Sequence, residues 1–201
     1  MSDKTFNPGL WTPRSVAETQ DIYANWADQY DADVSAAGYV TPTRVARALA
    51  ELCPDRTTSV LDFGCGTGLS GAALRAEGFL NIDGTDISPE MLAHAAQKDI
   101  YATVWQSKPG DMPEHGRYPV IVATGVVSLG AAPPETLTGL LNGLGPKGLL
   151  AFSYNDATLD NADYLTELTA AQASSDLIFE DYGPHLPAKD MGAKVYVLQK
   201  H

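Results

Sequence analysis

From Val60 onward, short apolar runs alternate with stretches whose apolar residues recur at helical spacing. The pattern predicts strands at 59–63, 80–85, 101–105, 119–124, 148–154, 176–181 and 193–199, and helices at 69–77, 88–97, 134–143 and 161–173. Strands alternating with helices in this way build a parallel sheet with helices on both faces. The last two strands have only about a dozen residues between them and no helical pattern, so they are expected to form an antiparallel edge pair. Upstream, a helix is expected from Ser15 to about Gln29, with Val16, Ile22, Tyr23 and Trp26 near helical spacing. A second begins with Thr41 as N-cap and Pro42 at its first position, and Pro54 ends it. The reading is one domain over 1–201: an irregular or mobile arm at 1–14, N-terminal helices or a lid at 15–53, and the sheet core at 54–201.

The first strand runs into VLDFGCGTGLSG, residues 60–71, where Gly64, Gly66, Gly68 and Gly71 crowd together. A tight turn needs one glycine; four suggest a backbone that must approach a ligand across the strand's carboxyl end. Two ligands compete. Residues 66–71 fit the dinucleotide pattern Gly-x-Gly-x-x-Gly, while 62–68 fit Asp-x-Gly-x-Gly-x-Gly, the loop that holds S-adenosylmethionine. An anionic pyrophosphate would be opposed by Asp62, whereas a sulfonium and an ammonium would be attracted to it. Asp62 therefore favours S-adenosylmethionine. In IDGTDISPEML, Asp86 ends the second strand, where its two oxygens could take both ribose hydroxyls, and Ile87 could pack on the adenine. The simpler role for Asp86 is to prolong the turn that Ser88 and Pro89 make into the next helix.

Charge narrows the partners. Thirteen basic against 25 acidic residues give a net charge of −12. Such a surface repels phosphate backbones and anionic lipid, arguing against nucleic-acid or membrane binding as the main activity. No apolar run approaches the ~20 residues that span a bilayer, and MSDKTFNPGLWTPRS lacks the features of a secretion signal. Cys53 and Cys65 have no metal-ligand spacing, and Cys65 lies within the glycine loop, so a reduced, cytoplasmic protein without a metal is expected.

VLDFGCGTG, DGTDISPEML, YPVIVATG and LLNGLGPKGLLAFS together resemble the motifs of class I S-adenosylmethionine-dependent methyltransferases. IYANWADQYDADVSAAGYVTP and TGVVSLGAAPPETL are similar to the Williams–Beuren-region methyltransferase-like branch. Two departures are visible: Ala131 stands where that branch tends to carry histidine, and Lys147 where the family usually has the first glycine of Pro-Gly-Gly. The resemblance implies a Rossmann-like α/β fold with a seven-stranded sheet in the order 3-2-1-4-5-7-6, strand seven antiparallel. It also implies S-adenosylmethionine as cofactor and S-adenosylhomocysteine as product. Carried over by position, Asp62, Gly64, Cys65, Gly66 and Gly68 would hold the methionine part, and Asp86 and Ile87 the ribose and adenine. Asp111 with Met112 would meet the adenine edge, Thr124 and Gly125 would lie under the transferring methyl, and Tyr30 would close over the cofactor.

Methyl transfer is an in-line displacement that needs alignment more than side-chain chemistry, since well-oriented pairs reach effective molarities of about 10⁵–10⁸ M. A base would assist a hydroxyl acceptor. Tyr154, Asn155 and Asp156 end strand five at the ligand rim, and His185, in the expected hairpin loop, is the one histidine with a positional argument for that role. Trp26, Tyr30 and Tyr39 could form an apolar lid. The expected activity is methyl transfer to a small organic acceptor. The alternatives are a module that binds the nucleoside without turnover and a nicotinamide-dependent oxidoreductase, which would want a Tyr-x-x-x-Lys pair after strand four that the sequence lacks.

Overall fold

The computed structural model describes residues 8–201. Seven strands form one sheet: β1 (Ser59–Phe63), β2 (Asn81–Asp86), β3 (Thr103–Gln106), β4 (Val120–Ala123), β5 (Leu149–Asn155), β6 (Ser175–Leu186) and β7 (Met191–Lys200). Their order is β3-β2-β1-β4-β5-β7-β6, with β7 antiparallel to both neighbours and the other pairs parallel. This is the expected architecture. Its order reverses between β1 and β4, which opens a crevice at the carboxyl ends of those strands.

Both sheet faces are buried, so the central strands read as continuous apolar runs rather than alternating ones. Leu61, Ile121, Leu150 and Phe152 point to one face, under α5 (Thr136–Gly143) and α7 (Ala162–Ala171). Val60, Val120, Val122 and Ala151 point to the other, where Val45 and Leu49 of α2 (Thr41–Leu52) and Leu74 of α3 (Leu69–Ala76) cover them. The second helix is thus part of the covering layer of the sheet and not of a lid, a correction to the expected division at residue 53. Its apolar stripe, Val45, Ala46, Ala48 and Leu49, is almost wholly buried.

The first helix, α1, is longer than its apolar spacing suggests and runs from Val16 to Ala36. A reciprocal cap starts it: Ser15 accepts from the Glu18 amide while Glu18 accepts from the Ser15 amide. It ends only at Gly38, whose φ of +76° suits glycine. Of the expected arm, residues 1–7 lie outside the described residues. The rest has contacts with the core: Leu10 is buried, and Arg14 donates to the carbonyls of Gly130 (2.8 Å) and Leu10. Strand β6 continues to Leu186, so the sixth strand absorbs much of the expected hairpin loop. Pro184 is tolerated because β6 is an edge strand with a register shift there. A short helix α6 (Asp156–Leu159), invisible to periodicity, follows β5, and α4 (Pro89–Ala96) follows β2. Among the described residues no helix is long and apolar enough to cross a membrane, and both cysteines are free.

Candidate active site

The glycine loop and Asp86 form one hydrogen-bonded unit. Asp86 Oδ2 accepts the Gly66 amide at 2.8 Å, and Oδ1 accepts the Ser88 amide at 2.9 Å. Burial raises the Asp86 pKa, while the amides of Ser88 and Gly66 pull it back. The amides of Gly64 and Cys65 both reach the Thr85 carbonyl, and that of Gly68 reaches the Cys65 carbonyl. These four loop amides are therefore committed inside the protein and do not form an anion cradle. That geometry disfavours a pyrophosphate on this loop, and small size rather than donated hydrogen bonds is what the glycines supply.

Each glycine answers to a different neighbour. At Gly64, with φ +69°, a Cβ would lie 2.4 Å from Val126 Cγ2. At Gly66, with φ +54°, it would meet nothing within 4 Å, and Gly66 lines the cavity beside it. Gly68 caps α3 in a left-handed conformation. Gly71 has nothing to do with a ligand approach: a Cβ there would sit 2.3 Å from the Tyr101 hydroxyl.

Tyr101 was not predicted to matter beyond starting a strand. It lies across Gly71 and Gly84 and donates to Asp62 Oδ2 at 2.7 Å, beside Ser70, which donates to the same oxygen at 2.6 Å. The pairing of two bare positions, Gly71 and Gly84, is the trace it leaves in the sequence. Asp62 is fully buried; burial pushes its pKa up to about 6 against those hydrogen bonds. Its Oδ1 has no partner. The carboxylate does not form part of the cavity wall, so it can act on a bound cation through its charge and not as the direct grip the sequence suggests. Cys65 also turns away, into a cluster with Leu92 and Ala95, and burial raises its thiol pKa.

A cavity of about 550 Å³ opens at the carboxyl ends of β1, β2 and β4, within the range of roughly 300–1,000 Å³ usual for small-molecule sites. The structure brings Gly64, Gly66, Asp86, Ile87, Asp111, Met112, Thr124, Gly125 and Tyr30 to its wall. Asp111 is exposed there and accepts the Lys108 amide at 2.8 Å, holding its own turn. Thr124 Oγ1 is buried and unpartnered, a second orphan polar atom at the loop. The Gly125 amide donates to Ser153 Oγ at 3.1 Å, and Tyr39 crosses Gly125 so closely that a Cβ would lie 3.1 Å from its hydroxyl.

Helix α1 roofs this cavity with Thr19, Tyr23 and Tyr30. Tyr30 packs edge-on against Trp26 at 4.7 Å, and burial raises the pKa of Tyr30 well above the ordinary value. Two ties secure the roof: Gln20 donates to the Ile87 carbonyl at 3.2 Å, and Asp31 receives Thr67 Oγ1 at 2.5 Å and Lys98 Nζ at 2.6 Å. Neither tie was predicted, because each joins side chains from separate elements.

A second, smaller cavity of about 60 Å³ shares Tyr23, Tyr30, Tyr39, Gly125 and Ala131 with the first. Asn155 and His185 line it. Of the expected strand-five rim, only Asn155 faces it: Tyr154 is buried in an aromatic cluster with Phe152, Tyr164 and Tyr196, and Asp156 accepts from Tyr182 and the Gly192 amide. His185 lies within β6, not in a loop. It is buried, its Nδ1 is 2.8 Å from Thr41 Oγ1, and burial lowers its pKa to about 4.

A sequence model of the methyltransferase domain matches residues 37–186, a span that contains the glycine loop, Asp86, Gly125 and His185. The chain belongs to the methyltransferase family. Human methyltransferase-like protein 27 is 31% identical over 166 residues, covering 80% of this chain and 66% of that protein. The malonyl-[acyl-carrier protein] O-methyltransferase of Halalkalibacterium halodurans is 36% identical over 107 residues, 49% of this chain and 40% of that one. The chain thus spans less than two thirds of the length of both relatives. Among solved structures, the [4+2]-cyclase SpnF superposes with a TM-score of 0.71 at 16% identity, covering 96% of this chain and 99% of that one, which shows a shared fold. The fold and family are those of class I S-adenosylmethionine-dependent methyltransferases, and S-adenosylmethionine is the cofactor they imply.

Proposed function

We propose that this protein transfers a methyl group from S-adenosylmethionine to a small organic acceptor. The observation that carries the reading is the 550 Å³ cavity, with Asp86 at one side and the partnerless Asp62 Oδ1 and Thr124 Oγ1 near the glycine loop. Asp62, acting through its charge from behind the wall, fits a cationic ligand: a buried carboxylate whose charge is penalised by desolvation gains most from a nearby positive group.

When bound, the cofactor supplies a methyl carbon on a sulfonium leaving group. The protein's part is positional. Asp86 would hold the ribose hydroxyls with lone pairs not used by Gly66 and Ser88, and Ile87 and Met112 would flank the adenine. Gly66 would leave room for the methionine part, with Asp62 favouring its ammonium through charge. Tyr23 and Tyr30 would exclude water from above. Gly125 and Tyr39, at the junction of the two cavities, would bound the reacting centre.

A small acceptor is favoured by the net charge of −12 and by the small size of the second cavity, about 60 Å³. Calorimetric titration with S-adenosylhomocysteine, followed by label transfer from methyl-labelled cofactor to a panel of small acids, phenols and amines, tests both halves. Binding with transfer supports the reading; no binding ends it. A second reading, cofactor binding without methyl transfer, draws on the cyclase that shares this fold and on the absence of histidine at position 131. Tight binding with no transfer to any class of acceptor would favour it.

A further inference from the structure

The small cavity has a defined hydrogen-bond polarity, fixed by the chemistry of the groups around it. Thr158 presents its amide at 3.0 Å and its hydroxyl at 2.9 Å to Asn155 Oδ1. A backbone N–H can only donate, so the amide oxygen of Asn155 must face Thr158. Its Nδ2 is left toward the cavity that Asn155 lines, with no acceptor among the described residues.

His185 is settled by the same reasoning. Thr41 is fully buried, and His185 Nδ1 is the partner of its hydroxyl. If Nδ1 carried the proton, the hydroxyl proton of Thr41 would have no acceptor. If Thr41 donates to Nδ1, every buried proton at this contact is satisfied and Nε2 carries the imidazole proton. Nε2 has no partner among the described residues, and His185 lines the cavity. Burial keeps the ring neutral, so it does not become a cation. Rigid elements hold it in place: the Val40 amide donates to the His185 carbonyl, and Arg44 donates to the carbonyls of Pro184 and Ala193 on either side of the hairpin.

We propose that this cavity is a subsite for an acceptor-only oxygen of the methyl acceptor, a carbonyl or carboxylate, bound by the His185 Nε2–H and the Asn155 Nδ2–H. It rests on the methyltransferase reading in one respect: the cavity adjoins Gly125, so the oxygen bound there fixes the substrate relative to the transferring methyl. His185 is then a donor and a positioning group, not the general base its place in the sequence suggests. The small volume admits a terminal group of few heavy atoms, and Tyr39, stacked edge-on against His185 at 5.2 Å, walls it on the side of the cofactor cavity.

Nitrogen-detected NMR of ¹⁵N-labelled protein tests this, with and without S-adenosylhomocysteine. The expected result is the Nε2–H tautomer for His185. Titrated acetone or acetate should shift the His185 ring and Asn155 side-chain amide signals, and methylammonium should not. Acetone against acetate separates a carbonyl from a carboxylate preference. Asn155→Asp keeps the oxygen that Thr158 needs and removes the donor, so the response to the better probe should weaken about tenfold, the loss of one buried hydrogen bond. An Nδ1–H tautomer, or no response to either oxygen probe, overturns the proposal, and both are read on the unmodified chain even if the variant fails to fold. Failure to bind S-adenosylhomocysteine would strike the cofactor reading alone, because the tautomer and probe shifts are also recorded without it.

Discussion

Asp86 Oδ2 accepts the amide of Gly66 at 2.8 Å across 20 positions of sequence. The carboxylate that ends β2 therefore shapes the loop that follows β1, before any ligand arrives. Replacing Asp86 with alanine should have two separable effects. Loss of the two amide contacts should destabilise the free protein, by about 1.5–3 kcal/mol for each hydrogen bond to a charged group less what water restores. Loss of the ribose contacts should also weaken S-adenosylhomocysteine binding by at least about tenfold. Thermal unfolding without ligand and calorimetry with it measure the two separately. An unchanged affinity would remove Asp86 from the ligand site and leave it a loop clamp.

The glycine loop allows a sharper contrast. Gly64 and Gly66 both have positive φ, where a non-glycine residue costs about 1–2 kcal/mol. Beyond that shared cost, Gly64→Ala drives a methyl into Val126, whereas Gly66→Ala points it into open space next to the cavity. The Gly64 variant should lose stability severely. The Gly66 variant should remain folded, with a modest fall in Tm, and lose cofactor affinity. Circular dichroism melts and ligand titration on the pair decide it; equal stability losses would contradict the assignment.

Two buried groups should give opposing pH dependences. Asp62 has its pKa raised from an ordinary 3.8 to about 6. Between those values the folded chain holds a proton that the unfolded chain does not, so its contribution to stability falls as pH rises. His185 has its pKa lowered from 6.5 to about 4. There the unfolded chain holds the extra proton, so stability rises with pH over nearly the same window. Each contribution is about 3 kcal/mol at about 1.4 kcal/mol per pH unit, and in the parent they largely cancel. Chemical denaturation across pH 4–7 should expose them singly. Relative to the parent, Asp62→Asn should gain about 2 kcal/mol of stability on going from pH 4 to 6.5, and His185→Gln should lose about as much from pH 4 to 6. Carboxylates remote from both groups drop out of the difference. Curves parallel to the parent would mean that neither group is buried as described.

The strands were legible because their information is local and repeated: apolar runs of strand length, alternating with helical spacing, define β1 through β5, while their order in the sheet came from the family resemblance. That Gly66 and Asp86 would share a cavity could be read from the glycine loop and from the acid that ends the next strand, and Gly125 was placed there by the family resemblance. What escaped the sequence depends on contacts between distant elements. Nothing near Tyr101 reveals that it fills the space left by Gly71 and Gly84 and bonds Asp62. His185 was expected in the hairpin loop between strands at 176–181 and 193–199, yet the edge strand runs on through Pro184 to Leu186. Asn155 looked like one of three equal rim residues until Tyr154 proved to be core and Asp156 to be held by Tyr182. Lys147, standing where the family usually has a glycine, adopts a left-handed φ of +64° that glycine favours.

The roof of the cavity hangs on a cluster that no single element contains. Asp31 of α1 receives Thr67 from the glycine loop and Lys98 from the turn after α4, and Lys98 also donates to the Thr67 carbonyl at 2.7 Å. Both Asp31 and Lys98 are partly exposed, so the ion pair itself contributes only about 0–1 kcal/mol to global stability. Its effect should be local, because local opening can be far cheaper than unfolding and a ligand of cofactor size that leaves beneath α1 would displace Tyr23 and Tyr30. Asp31→Ala should leave the melting temperature nearly unchanged and raise the dissociation rate of S-adenosylhomocysteine several-fold. In the parent, added salt should raise that rate as it screens the pair, and in the variant the salt effect should shrink. Stopped-flow displacement at two ionic strengths reads both quantities. A dissociation rate insensitive to the substitution would mean that the ligand leaves by a path other than beneath α1.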